Sequence, residues 1–179
     1  MSKLVRSQEL GFLFSGFIYR PEFSFESFLP QIEQVWGKIL FHSPEWDFSS
    51  QTDYYEKEMG QDLRRVFTVF DRVISPIDLV EAKLQSRRWE QHLSNDNGRL
   101  VNIDPGYISP NKIILASTKN HYHRIYLDKG IYLELTLAYY HGDWQKLEWT
   151  YPDFYHLYRT WFRQIRNDIL KGLRKLQAN

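Results

Sequence analysis

Ile131-Tyr132-Leu133-Glu134-Leu135-Thr136-Leu137-Ala138-Tyr139-Tyr140 decides the fold class. Ile131, Leu133, Leu135, Leu137 and Tyr139 alternate with Tyr132, Glu134, Thr136, Ala138 and Tyr140. A period of two marks a strand with one face buried. Turn signals flank it on both sides. Asp128-Lys129-Gly130 reads as a three-residue hairpin turn with Gly at the left-handed position. That turn pairs Leu127 with Ile131, Ile125 with Leu133 and Arg124 with Glu134. On the far side, His141-Gly142-Asp143 reads as a second three-residue turn, pairing Leu147 with Leu137 and Trp149 with Leu135. A two-residue Gly-Asp turn is set aside, because a slip of one residue turns every side chain over. Two hairpins in succession imply an antiparallel sheet.

Working back toward the N-terminus, Leu10 to Tyr19 reads as a buried first strand with Gly11 and Gly16 inside it. Phe25, Phe28, Leu29, Ile32, Val35 and Trp36 recur at helical spacing. A cap at Ser27 places Pro30 in the first turn of that helix, and Gly37 stops it. Lys38 to Phe41 is a short strand, and residues 43–60 are irregular, polar and aromatic. Leu63 to Ile74 is a third strand. Ser75-Pro76-Ile77-Asp78 opens a second helix that runs to about Leu93. Asn95 to Gly98 is a turn, and Leu100 to Ile103 is a fourth strand. The order βαββαβ predicts a ferredoxin-like core in an α+β fold, extended by further antiparallel strands at Lys112 to Ala116, Arg124 to Leu127 and Ile131 to Tyr140. Thr150-Tyr151-Pro152-Asp153 reads as a capping box for a C-terminal amphipathic helix. Its buried stripe is Tyr158, Trp161, Phe162, Ile165, Ile169 and Leu173.

Composition bounds the function classes. The chain has 179 residues, of which 42% are hydrophobic and 17% aromatic. That length suits one domain over residues 1–179, able to bury about 70% of its unfolded surface. With 23 basic and 22 acidic residues the formal charge is +1. No global field draws the protein to DNA grooves or to an anionic membrane. There is no cysteine, which excludes disulfides, thiolate metal sites and a cysteine nucleophile. Gly11 to Ile18 is apolar but too short to span a bilayer, and residues 1–6 lead into no signal-peptide pattern. Cytoplasm is the default location.

Three segments concentrate chemistry. Asn102-Ile103-Asp104-Pro105-Gly106-Tyr107 sets Asp104 where a strand gives way to a Pro-Gly turn, a place for a general base or for a turn-capping carboxylate. Lys112, then Ser117, Thr118, Lys119, His121, His123, Arg124 and Tyr126, form a dense set of hydrogen-bond donors. Arg124 suits a bidentate anion clamp, or it pairs with Glu134 across the hairpin. His121 and His123 share one face of an extended chain, which is weak as a metal site, and a half-buried structural histidine is the plainer reading. Tyr54, Tyr55 and Glu58 stand in a long irregular stretch, suited to stacking and hydrogen bonding or to anchoring the loop. Ala116-Ser117-Thr118-Lys119-Asn120 does not make a GTPase, because no phosphate-binding Gly-rich loop accompanies it.

Several of these segments, in order, resemble a prokaryotic family, domain of unknown function 4416. The resemblance rests on Thr52-Asp53-Tyr54-Tyr55-Glu56-Lys57-Glu58-Met59-Gly60, Val101-Asn102-Ile103-Asp104-Pro105-Gly106-Tyr107, Leu115-Ala116-Ser117-Thr118-Lys119, His123-Arg124-Ile125-Tyr126-Leu127 and Trp149-Thr150-Tyr151-Pro152-Asp153. Asn120 stands where the family pattern usually has Asp, and His121 is outside the pattern. The resemblance implies a family and no reaction.

The expected function is binding of a phosphate-bearing small molecule, a nucleotide or an RNA end, with or without catalysis. Lys112, Ser117, Thr118, Lys119 and Arg124 would hold the anion, with Glu58 beside it. Asp104 and His123 would be the acid-base pair, and Tyr54 or Tyr126 a stacking surface. Neither a metal nor a cofactor is specified. The rival is a protein-interaction module whose polar cluster is structural. RNA binding through the basic C-terminal helix (Arg159, Arg163, Arg166, Lys171, Arg174, Lys175) is a third reading.

Overall fold

A computed structural model describes residues 9–50, 52, 54–96 and 98–177. Residues 1–6, Asp53 in the irregular stretch and Asn97 in the expected turn lie outside the described residues. The elements in chain order are β1 (Gly11–Tyr19), α1 (Phe25–Trp36), β2 (Ile39–His42), β3 (Trp46–Asp47), α2 (Glu56–Met59), β4 (Arg64–Ile74), α3 (Leu79–His92), β5 (Ser94–Asn95), β6 (Gly98–Arg99), β7 (Val101–Ile108), β8 (Lys112–Ser117), β9 (Ile125–Asp128), β10 (Ile131–Tyr140), β11 (Asp143–Lys146), α4 (Pro152–His156) and α5 (Arg159–Gln177). The fold is mixed α+β, with five helices and a large antiparallel sheet among the described residues.

That sheet has nine strands in the order β11-β10-β8-β7-β1-β4-β2, with β3 added to β4 and β9 to β10. It lies between two helical layers. Leu13, Phe17 and Tyr19 of β1 point to one face, where Phe28, Ile32 and Trp36 of α1 and Val80 and Trp89 of α3 cover them. Phe12 and Phe14 point to the other, where Phe154 of α4 and Phe162, Ile165 and Ile169 of α5 cover them. The alternation along β1 is the period of two expressed as two cores. Among the described residues no helix is long and apolar enough to cross a membrane.

The local readings change in five places. Helix α1 is capped by Ser24, which accepts from the Ser27 N–H, so Pro30 lies inside the helix. Strand β7 does not stop at Asp104 but runs through Pro105 and Gly106 to Ile108. Both hairpins flanking β10 have two-residue turns, since Asp128 faces Ile131 and Asp143 faces Tyr140. In each turn both residues have positive φ: 48° and 76° at Lys129 and Gly130, 51° and 80° at His141 and Gly142. Such turns match the right-handed twist of the strands, which a three-residue reading ignores. Ile125 still faces Leu133, but Lys146 rather than Leu147 faces Leu137. Finally, the Thr150 hydroxyl caps no helix. It donates to the Thr136 carbonyl and accepts from the Leu147 N–H, and the C-terminal helix is divided into α4 and α5.

Candidate functional site in a split of the sheet

Strand β7 pairs with β1 along its whole length, from Tyr19 opposite Val101 to Phe12 opposite Ile108. With β8 it pairs only at Gly106, Tyr107 and Ile108. At Gly106 the two strands are so close that a Cβ would lie 2.0 Å from the Ile114 carbonyl oxygen. Beyond it they part, and Val101 to Pro105 face no strand on that side. Buried backbone groups need partners. Proline needs none for its nitrogen. At Ile103 the partners come from helix α3: its N–H donates to Glu90 Oε1 (2.6 Å), and its carbonyl accepts from Lys83 Nζ (2.9 Å). Two side chains thus replace the missing strand. The split opens into a cavity of about 770 Å³, within the range of small-molecule sites.

The α3 wall carries a charge relay. Lys83 is 8% exposed and also contacts Asp104 Oδ1 at 3.2 Å. Asn102 Nδ2 donates to Asp104 Oδ2 (2.7 Å), and Arg99 Nη1 donates to Asn102 Oδ1 (3.0 Å). Arg99 also pairs with Glu90 (3.5 Å) and Glu58 (2.5 Å). Burial works against the Asp104 charge, but Lys83, Arg65 and the Asn102 amide outweigh it and hold this carboxyl below the usual aspartate range. Glu90 goes the other way: burial dominates over Lys83, the Ile103 N–H and Arg99, and raises it.

The opposite wall comes from β8, the 118–124 segment and β10. Arg124 Nε donates to Glu134 Oε2 (2.8 Å), and its Nη1 donates to Ser117 Oγ (2.9 Å) and the Lys119 carbonyl (3.0 Å). His123 Nε2 lies 3.0 Å from the same Glu134 oxygen, and Nδ1 is buried without a partner. The His123 ring stacks on Trp149 at 4.6 Å, and Trp149 Nε1 donates to the Leu135 carbonyl. At one end Tyr54, Tyr55 and Tyr151 cluster, with ring centroids 4.9 Å apart for Tyr54–Tyr55 and 6.1 Å for Tyr54–Tyr151. Lys119 Nζ donates to the Tyr54 hydroxyl across 3.2 Å.

The cavity therefore gathers residues far apart in the chain. Tyr54, Glu58 and Asp104 line it together with Ser117, Thr118 and Lys119, and so do His123 and Arg124. Lys112 does not, because it sits at the other end of β8 and pairs with Glu9 at 3.0 Å. Tyr126 does not either. It lies on the edge strand β9, 58% exposed, against Tyr132. His123 has Glu134 as its carboxylate, not Asp104, whose partners are Lys83 and Asn102. Arg124 is held by Glu134 and two further oxygens, so its guanidinium is largely committed to the protein. Lys83, Arg87, Glu90 and Gln91 of α3 also line the cavity, and the sequence reading missed them. Their spacing puts them on one stripe of the helix. A polar stripe ordinarily means solvent; the gap in the sheet is what turns this one inward.

Among the described residues no three His, Asp or Glu side chains are placed to hold a metal ion. No curated protein and no solved structure matches the chain. The model of the family Domain of unknown function (DUF4416) matches residues 10–168. That span takes in β1, both walls of the cavity and the start of α5, and the chain belongs to this family.

Proposed function

We propose that the cavity between β7 and β8 binds a small phosphorylated molecule, a mononucleotide or a sugar phosphate. The observation that carries this reading is charge left over at the cavity. Lys83, Arg99 and Arg124 are each paired with carboxylates. Lys119 and Arg87 line the same cavity with no carboxylate partner among the described residues. Both are exposed, so they mark the rim, where an anion keeps part of its hydration while gaining charged hydrogen bonds. The hydroxyls of Ser117 and Thr118 stand beside Lys119, and the tyrosine cluster offers a face for a base or a sugar ring. A cavity of about 770 Å³ suits one nucleotide rather than a strand of RNA. An RNA end is the larger variant of the same reading. The α5 route to RNA is less supported, since Arg159 and Arg163 pair with Asp143 and Arg166 packs over Tyr139.

The test is isothermal titration against mononucleotides, sugar phosphates and short 5′-phosphorylated RNAs. Lys119→Ala and Arg87→Ala should each weaken binding about tenfold and leave the melting temperature unchanged. Silence across the panel from a folded protein ends the reading. The exposed Tyr122, Ile125 and Tyr126 on and beside β9 favour a second reading, a protein-interaction surface; Ile125→Glu would then abolish association and spare phosphate binding. The strand order β7-β1-β4-β2, with α1 and α3 on one face, supports a ferredoxin-like description of that half of the sheet.

A further inference from the structure

Resting on the phosphate-binding reading, we infer that the inner end of the cavity is a hydroxyl-binding subsite, built by Asp104, Tyr55, Tyr151 and Lys83, that takes the sugar-like part of the ligand. Hydrogen-bonding capacity goes unused at these residues. Lys83 has three N–H groups and spends two, on Ile103 and Asp104. Asp104 has about four lone-pair positions and receives hydrogen bonds from Lys83 and Asn102. Its side chain is 24% exposed. Tyr55 and Tyr151 both line the cavity, and neither phenol has a hydrogen-bond partner among the described residues. Both remain protonated donors, because burial first and the Asp104 charge second push their ionisation upward. Polar capacity left idle at the inner end of a cavity is capacity for a ligand.

The chemistry of that ligand group follows from the mixture. A carboxylate only accepts, an ammonium only donates, and these phenols stay protonated donors. A group that satisfies both kinds must both donate and accept, and a hydroxyl does so through one compact atom. A cationic group is disfavoured, because Lys83 and Arg65 already balance Asp104. A second phosphate is disfavoured by Asp104 itself. With Lys119 and Arg87 at the rim, the ligand lies with its phosphate outward and its hydroxyls inward. Asp104 is then a positioning acceptor for substrate hydroxyls rather than a base, since a carboxyl held below its ordinary range is poorly matched to taking a proton at neutral pH.

The test uses matched pairs of compounds, so that sugar phosphates and nucleotides are separate arms. Ribose 5-phosphate is compared with 2-deoxyribose 5-phosphate, and adenosine 5′-monophosphate with its 2′,3′-dideoxy counterpart, by titration calorimetry. In the arm that binds, loss of the hydroxyls should weaken affinity at least tenfold. The Tyr55→Phe/Tyr151→Phe double variant, which deletes only two oxygens and keeps the rings, should reduce that gap to less than threefold. Asp104→Asn should do the same if it folds, and the phenylalanine variant decides the matter if it does not. A gap under threefold in the wild type, or one that survives in the phenylalanine variant, overturns the subsite while phosphate binding stands. If none of the four compounds binds, the subsite falls, and the phosphate reading falls with it only when the wider panel is silent as well.

Discussion

Lys83→Met is the most informative single change, because it removes the group that replaces a strand. The methionine keeps the aliphatic volume on α3, so packing loss is small. What disappears is a charged hydrogen bond of 2.9 Å to the Ile103 carbonyl and a 3.2 Å contact to Asp104, both made by a side chain 8% exposed. A charged hydrogen bond is worth about 1.5–3 kcal/mol, and breaking a buried ion pair costs about 3–5 kcal/mol because the survivor is left uncompensated. The two overlap, so the expected loss at pH 7 is about 3–5 kcal/mol. For a chain of this size that lowers the melting temperature by about 6–20 °C. The loss must also depend on pH. In the wild type the Asp104 carboxyl is lowered by folding, so its contribution is complete above the unfolded aspartate value and is lost only as pH falls through the folded one. In the variant, burial is opposed by Arg65 and Asn102 alone, and the carboxyl rises. Asp104 then gains a proton on folding as the medium is acidified, and the deficit narrows between pH 7 and pH 5. Urea unfolding at both values measures it, and Lys83→Met/Asp104→Asn should recover part of the loss at pH 7. A deficit below about 1 kcal/mol, or one identical at the two pH values, would refute the idea that Lys83 closes the open edge of β7.

Other outcomes follow from the same pairings. Arg65 and Asp153 are 3% and 2% exposed and 3.4 Å apart, and burial pushes the Asp153 carboxyl up despite Arg65. Arg65→Met strands the buried Asp153 carboxylate and should cost about 3–5 kcal/mol in urea unfolding, whereas Asp153→Asn, which mimics the protonated form, should cost clearly less. A folded carboxyl above its ordinary value adds stability at low pH that is lost as pH rises through it, so Asp153→Asn should also flatten the wild-type stability gain on acidification from pH 7. Gly106→Ala places a Cβ 2.0 Å from the Ile114 carbonyl oxygen; it should destabilise by at least the ~1–3 kcal/mol usual for overpacking, measured by thermal melting. Lys129→Ala removes a pair with Glu81 in which both partners are more than half exposed, and should leave the melting temperature unchanged.

The contrast between legible and illegible parts has a physical basis. Strand β10 runs from Ile131 to Tyr140, as its alternation implies, because a half-buried strand writes its period directly into the sequence. The stripe of Tyr158, Phe162, Ile165, Ile169 and Leu173 is buried for the same reason at helical period. The capping contact at Ser75 is also local: Asp78 accepts from the Ser75 N–H at 2.8 Å. Turn length is not written in Asp128-Lys129-Gly130 or His141-Gly142-Asp143, since each allows turns of two lengths and strand twist, a property of the pair, selects between them; a bulge still returns Ile125 to Leu133, whereas the second hairpin sets Lys146 in place of Leu147 opposite Leu137. Pro105-Gly106 reads as a turn by composition, yet in β7 the proline falls where no strand faces it on the β8 side and the glycine where β8 comes too near. Both residues are needed for the split, and neither announces it. The link from Arg124 to Glu134 was available from hairpin geometry, but the addition of His123 to the same oxygen was not, because His123 precedes β9 and belongs to no strand whose register could place it.

The split also separates structural charge from charge open to a ligand, which residue type alone does not. Opening a sheet leaves backbone groups that must be satisfied, and here Lys83 and Glu90 satisfy those of Ile103. Their charges then need balance from Asp104, Asn102 and Arg99, and Arg99 in turn binds Glu58. Each of these side chains lines the cavity, and each is already occupied with holding it open. An alanine scan of the polar cluster would therefore report mostly stability. Capacity for a ligand resides in what that relay leaves unspent: Lys119 and Arg87 at the rim, the phenols of Tyr55 and Tyr151 within, and the remaining lone pairs of Asp104. A variant such as Tyr151→Phe, which removes one unspent oxygen and touches no pairing, reads function without disturbing the fold, and its melting temperature should match the wild type while its affinity for a hydroxyl-bearing phosphate falls.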